Sequence, residues 1–279
     1  MLGLSASEVV PFVALVTAHA AAGVIAVLQL VRARGKAGLL LTPVMAAAVL
    51  SDATFLGVRA AGIKAVPLTG PFESLIALAL VFGILYLILQ VMFHQVWFGS
   101  VLAWMTLGMV LLAALVAKPA TRPHEVAATP WAIAHASVMI LAAASVAFAA
   151  ANAALYLFSS RRLKQKQIVR LLGRMPNMQT LGRMNRISLR VAFALMTVGV
   201  LTGLGLVASL GTGLLEWLED GKVICIIAAW VLLAGNMVLD HLYLLKEKVR
   251  AYVTIVAFVL VLVAVLGVTV VGATQHRFS

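Results

Sequence analysis

Charge is scarce in this sequence. Asp, Glu, Lys and Arg make up 11% of its 279 residues, against roughly 25% in a soluble domain, which leaves too little polar surface to cover a water-soluble globule. Negative charge is scarcer still, with nine acidic residues against 21 Lys and Arg and a net charge of +12. In a soluble chain such an excess points to nucleic acid. Here the cations fall between apolar runs, so they report on topology first. The one cysteine, Cys225, excludes an internal disulfide and lacks the C-x-x-C partner of a thiol-redox enzyme. Within an apolar run it reads as a small buried residue. No internal repeat stands out at a useful period, and no positive leader precedes the first apolar run, which is read as a retained helix.

Apolar residues, at 63%, are what the chain has in abundance. They gather into eight runs, roughly 11–31, 39–58, 74–94, 97–117, 131–158, 188–210, 223–245 and 251–273. Each supplies at least the 20 or so residues that a helix needs to cross a ~30 Å hydrocarbon core. The runs are continuous, not alternating, which selects helices over barrel strands, and a helix satisfies its own backbone in lipid. The expected fold is all-α: one integral membrane domain over residues 1–279 with about eight transmembrane helices.

Orientation follows from the cations. With the loop after the first run placed in the cytoplasm, that side holds 15 of the 21 basic residues, Arg32 to Lys36, Arg161 to Arg190 and Lys246 to Arg250 among them. The outer side holds Arg59, Lys64, Lys118, Arg122, Lys222 and Arg277. The positive-inside rule then sets both termini on the non-cytoplasmic side. The basic loop 159–187 is cytoplasmic, and loops 118–130 and 211–222 are outer. Within the basic loop, Ile168, Leu171, Leu172 and Met175 recur at helical spacing, the pattern of a short amphipathic helix on headgroups or of a simple topology anchor.

Ionisable residues inside a bilayer are costly and need a reason. His19 lies about 12 Å into the first run at 1.5 Å per residue. Asp52 needs a partner, Arg59 or a polar group on another helix. Glu73, directly after Pro71-Phe72, suits the positive end of a helix dipole. His135 falls in the first turns of the fifth run and His276 after the eighth, both on the outer side. His94 and His241 fall on the cytoplasmic side, and His124 lies in a loop. Neutral imidazoles at one depth can be paired axial ligands of heme iron or proton carriers, and each alone can be an interfacial histidine bonded to a neighbour. Gly199-x-x-x-Gly203 in the sixth run permits close helix approach. Trp97 and Trp131 fit an aromatic belt, whereas Trp217 stands in an outer loop beside Glu216, Glu219 and Asp220. Asn236 and Asp240 share a helix face.

Four stretches resemble the cytochrome c assembly family, the CcsA-type and CcmC-type heme-handling proteins and the related HemX-like proteins. They are VPLTGPFESL at 66–75, WAIAH at 131–135 with ALYLFSSRRLK at 154–164, MPNMQTLGRMN at 175–185, and the closing VVGATQHRFS. The similarity runs from about residue 63 to the end, with motifs in the family's order. It implies a multi-pass protein of the cell's inner (plasma) membrane that presents or conveys heme at the outer face for c-type cytochrome biogenesis. It further implies bound heme b, with His135 and His276 as outer axial ligands and His241 in a second, membrane-embedded site. As partners it implies a CcsB/ResB-like membrane protein and apocytochrome c, the chain being the heme-handling part of a cytochrome c synthase (heme lyase) complex. The sequence departs from the family where a tryptophan-rich segment belongs: LGTGLLEWLEDGKV keeps only Gly211, Trp217, Asp220 and Lys222. That departure leaves a HemX-like regulatory or scaffold protein of tetrapyrrole metabolism as the alternative. A small transporter or respiratory-complex subunit, with protons carried by the intramembrane His and Asp, fits the composition equally.

Overall fold

The computed structural model describes residues 4–31, 37–68, 70–93, 96–116, 129–164, 177–211, 217–242 and 244–271. Among these residues there are eight long helices and no strand: α1 (Ala6–Val31), α2 (Ala37–Ile63), α3 (Pro71–Phe93), α4 (Val96–Val116), α5 (Pro130–Lys164), α6 (Met178–Leu210), α7 (Gly221–His241) and α8 (Glu247–Val271). Seven are long and apolar enough to cross a membrane, and α4 contributes the shorter apolar stretch Gly99–Leu115. The expected amphipathic helix at 168–175 and almost all of loop 118–130 lie outside the described residues.

Local chemistry sets the helix ends. Ser5 opens α1 with its amide on Glu8 Oε2 at 2.8 Å, half of a capping box. Thr129 Oγ1 accepts from the Ala132 amide at 3.3 Å ahead of Pro130, and proline at a first helical position gives up only an orphan N–H. Asn177 caps α6 through Thr180 N at 2.6 Å, and Gly211 ends it in the left-handed region at φ 66°. Several helices extend beyond their apolar runs. α1 begins at Ala6 before 11, α2 continues past 58 to Ile63, α5 continues past 158 to Lys164, and α6 begins ten residues before 188. An apolar run measures hydrocarbon thickness, whereas a helix continues as long as its backbone bonds and caps allow. At 35 and 33 residues, α5 and α6 are each about 50 Å long, so both overhang a ~30 Å core.

The helices fall into two compact units, α1–α4 and α5–α8. In the first, α1 packs on α2 and α4, and α3 packs on α2 and α4, so the four close into a ring. In the second, α5 packs on α6 and α8, and α7 packs on α8 and α6. The core of the second unit is built on alanine: Ala142, Ala149, Ala192, Ala229 and Ala257 interleave with Val146, Leu189, Met196 and Leu233. Small side chains allow the backbones to close where lipid supplies no hydrophobic drive between helices. Large apolar side chains point outward instead, among them Val10, Leu50, Val91 and Leu115, as a lipid-facing surface requires. Several hydroxyls on the spans bond back into their own helices, Ser51 to Ala47 O at 2.8 Å and Thr54 to Leu50 O at 2.7 Å among them, which satisfies them within hydrocarbon.

Candidate functional site

The second unit places His135 against the glycine face of α6. Trp131, His135 and Met139 recur every four residues on α5, one face of that helix. They lie against Gly205, Gly203 and Gly199 of the antiparallel α6. A Cβ on Gly203 would stand 3.1 Å from His135 Cε1 and 3.6 Å from Trp217 Cζ2, and one on Gly205 would stand 2.8 Å from Trp131 Cζ3. The glycines thus do more than let helices approach. They make the floor on which the aromatic rings of Trp131, His135 and Trp217 rest.

His135 Nδ1 lies 2.8 Å from the Gly199 carbonyl. A carbonyl only accepts, so Nδ1 carries the proton and the imidazole lone pair sits on Nε2. A histidine oriented by an Nδ1–H bond to backbone is in the form that ligates metal through Nε2. The donor set therefore fits one axial position of a heme iron. Trp217 lies in the short turn before α7, half-buried. Asp220, buried, caps α7 by accepting from Lys222 N at 2.8 Å, so at least part of its role is to fix where that turn meets the helix. His276 lies outside the described residues, as do His94 and His124. His241 is the last residue of α7, exposed, at the far end of the same unit. Beside it stand Asp240, Arg186, Arg190 and Arg250 around a cleft of about 250 Å³. Among the described residues no group of three or more His, Cys, Asp or Glu is gathered for a metal ion. An axial heme site asks for two ligands only.

The first unit holds two buried polar clusters. Arg59 on α2 donates from Nη1 to Glu8 Oε1 at 2.8 Å, and from Nε and Nη2 to Glu73 Oε1 at 3.0 and 2.8 Å. All three residues are buried. Arg59, expected as a loop cation, is thus a helix residue joining α1, α2 and α3. Glu73 does more than complement a dipole, since it closes this triplet. Deeper in, His19 Nε2 faces both oxygens of Asp52 at 3.1 Å, with both residues fully buried. The partner required by Asp52 is therefore His19, not Arg59. With α1 beginning at Ala6, His19 lies about 20 Å along it. Phe12, Phe55 and Phe72, at centroid separations of 5.6 to 6.0 Å, belong to the same three helices. Two of them, Phe12 and Phe55, fall in sequence between the two clusters on α1 and α2.

The fold and these clusters define a multi-pass helical membrane protein with an ordered imidazole in one four-helix unit and buried ion pairs in the other. The chain belongs to the cytochrome c assembly protein family, whose model matches residues 68–276, well over half of its length. It takes part in c-type cytochrome biogenesis accordingly. The match contains α3 to α8, whereas Glu8, His19, Asp52 and Arg59 precede it. Neither the curated proteins nor the solved structures compared with the chain match it.

Proposed function

We propose that this protein handles heme for c-type cytochrome biogenesis, holding or conveying it at the outer face of the inner (plasma) membrane. His135 and His276 are its axial ligands there, and Trp217 and Asp220 form the lid of the site. His241 belongs to a second heme position nearer the cytoplasm. The observation that carries this reading is the His135 ring on Gly203, beside Trp217 and oriented by the Gly199 carbonyl. Family membership supplies the biological setting. The excess of Lys and Arg in and around 159–190 and 246–250 supports a cytoplasmic position for the opposite end, and with it outer termini. Heme is the cargo, and two neutral imidazoles would hold its iron low-spin. Passing it on requires a CcsB/ResB-like partner and apocytochrome c.

The test replaces His135 and His276 singly with Ala and measures heme per protein after purification, with His124→Ala as control. Either ligand change should lower occupancy or alter the spin state, and added imidazole should partly restore it. Unchanged heme content and spectrum in both variants would remove the site from these residues. A HemX-like regulatory role is favoured by the single tryptophan left in 211–222. In that case heme binds, but deleting the gene leaves holo-cytochrome c levels unchanged.

A further inference from the structure

We propose that the Asp240 cluster at the end of α7 is a binding site for a phosphate-bearing anion at the membrane surface, the headgroup of an acidic phospholipid or a free phosphate compound. The continuous apolar stretch of α6 begins at Val191, and Val191–Leu210 is by itself long enough to cross a ~30 Å core, so Met178–Arg190 is the part of the helix that overhangs it. That projection carries Arg183, Arg186 and Arg190 at i, i+3 and i+7, one face of the helix. Asp240 gathers cations toward a point: Arg186 Nε at 3.4 Å, Arg190 Nη2 at 3.6 Å and Arg250 Nη2 as a direct partner. Glu247 holds Arg186 Nη2 at 2.8 Å and Arg250 Nη1 at 2.7 Å.

The ion pairs do not exhaust the arginines. Each guanidinium has five N–H donors in a fork that matches phosphate, and here three of them share two carboxylates. Arg250 is 2% exposed, and its Nε has no hydrogen-bond partner among the described residues. A buried donor left bare in this way is costly unless something else accepts from it. Arg190 is 60% exposed, and among the described residues its one ion pair is the 3.6 Å approach to Asp240. The cleft bounded by Arg186, Arg190, Asp240 and Arg250 adjoins, across Arg186, a second of about 450 Å³ that Arg183 and Tyr156 help to line. If the network served only to lock α6, α7 and α8 together, it would need neither Arg183 nor an exposed Arg190. A basic recess between helices at the membrane surface is the usual form of an acidic-headgroup site.

The experiment uses the full-length protein, delipidated in neutral detergent. Thermal unfolding and native mass spectrometry are recorded with cardiolipin, with phosphatidylcholine and with millimolar inorganic phosphate or pyrophosphate. Arg190→Gln is compared with Arg161→Gln, an exposed cation at the end of α5. The expected result is binding and stabilisation by cardiolipin, or by the inorganic anions, but not by phosphatidylcholine. Arg190→Gln should weaken that binding roughly fivefold, about what one arginine near an anionic surface contributes, while Arg161→Gln leaves it within about twofold. Stabilisation confined to cardiolipin identifies a lipid, and stabilisation by the inorganic anions identifies a soluble ligand. Equal losses in the two variants would reduce the effect to bulk positive charge and overturn the site, as would the absence of any anion-dependent stabilisation.

Discussion

Arg59 shows most directly what a single residue does in the first unit. It is one cation between two carboxylates, on a helix that the apolar pattern ends five residues too early. Removing it leaves Glu8 and Glu73 buried without their shared counter-charge, and breaking a buried pair from one side costs several kcal/mol. Arg59→Gln should lower stability by about 3 kcal/mol, read as thermal unfolding in detergent. Arg190→Gln, at an exposed pair, should stay within about 1 kcal/mol of wild type. If the two changes cost the same, water reaches the triplet. His19 and Asp52 follow the related rule that one orphan is worse than none. Asp52→Val should be destabilising by about 1–3 kcal/mol, and adding His19→Leu should recover part of the loss; strict additivity of the two changes would show that the pair is not coupled. Residue types in the sequence marked these positions as unusual, but not their partners. His19 and Asp52 are 33 residues apart on different helices, and pairing across helices is a property of packing that no local pattern carries. Glu73 shows the opposite difficulty. Its place in a first turn explains an acid so adequately that nothing in the sequence points onward to Arg59.

At the scale of the element, the eight apolar runs foretell eight helices because hydrocarbon thickness and helical rise leave little choice of length. Their ends are less legible, since caps such as Asn177 and Asp220 act through hydrogen bonds to particular amides. The small-residue spacing of α6 was legible as a packing face, but not that its partner face is Trp131, His135 and Met139. Gly203→Leu forces a side chain into the space held by His135 and Trp217. It should lower the midpoint of thermal unfolding and, in protein that still folds, disturb any signal from the His135 site. Gly57→Ala is the matching control, since a Cβ there meets nothing within 4 Å and alanine is the better helix former. An unchanged midpoint for Gly203→Leu would mean that α5 and α6 are held elsewhere.

For the whole molecule, sidedness is the first question. Gln179 and Glu219, both exposed, serve as reporters for the two ends of the second unit. In a Cys225→Ala background, an impermeant thiol reagent added to intact cells should label Glu219→Cys and not Gln179→Cys, as the distribution of Lys and Arg requires. The reverse pattern would invert the protein and move His135 to the cytoplasmic side. Sidedness gives meaning to the heme reading, but the bound heme is its substance. The most direct measurement is the absorption spectrum of the intact protein purified from heme-replete cells, oxidised and then reduced. Heme iron held between two histidines should give a Soret band with sharp reduced α and β bands. A colourless protein that stays colourless when heme is added would rule out a heme-binding role.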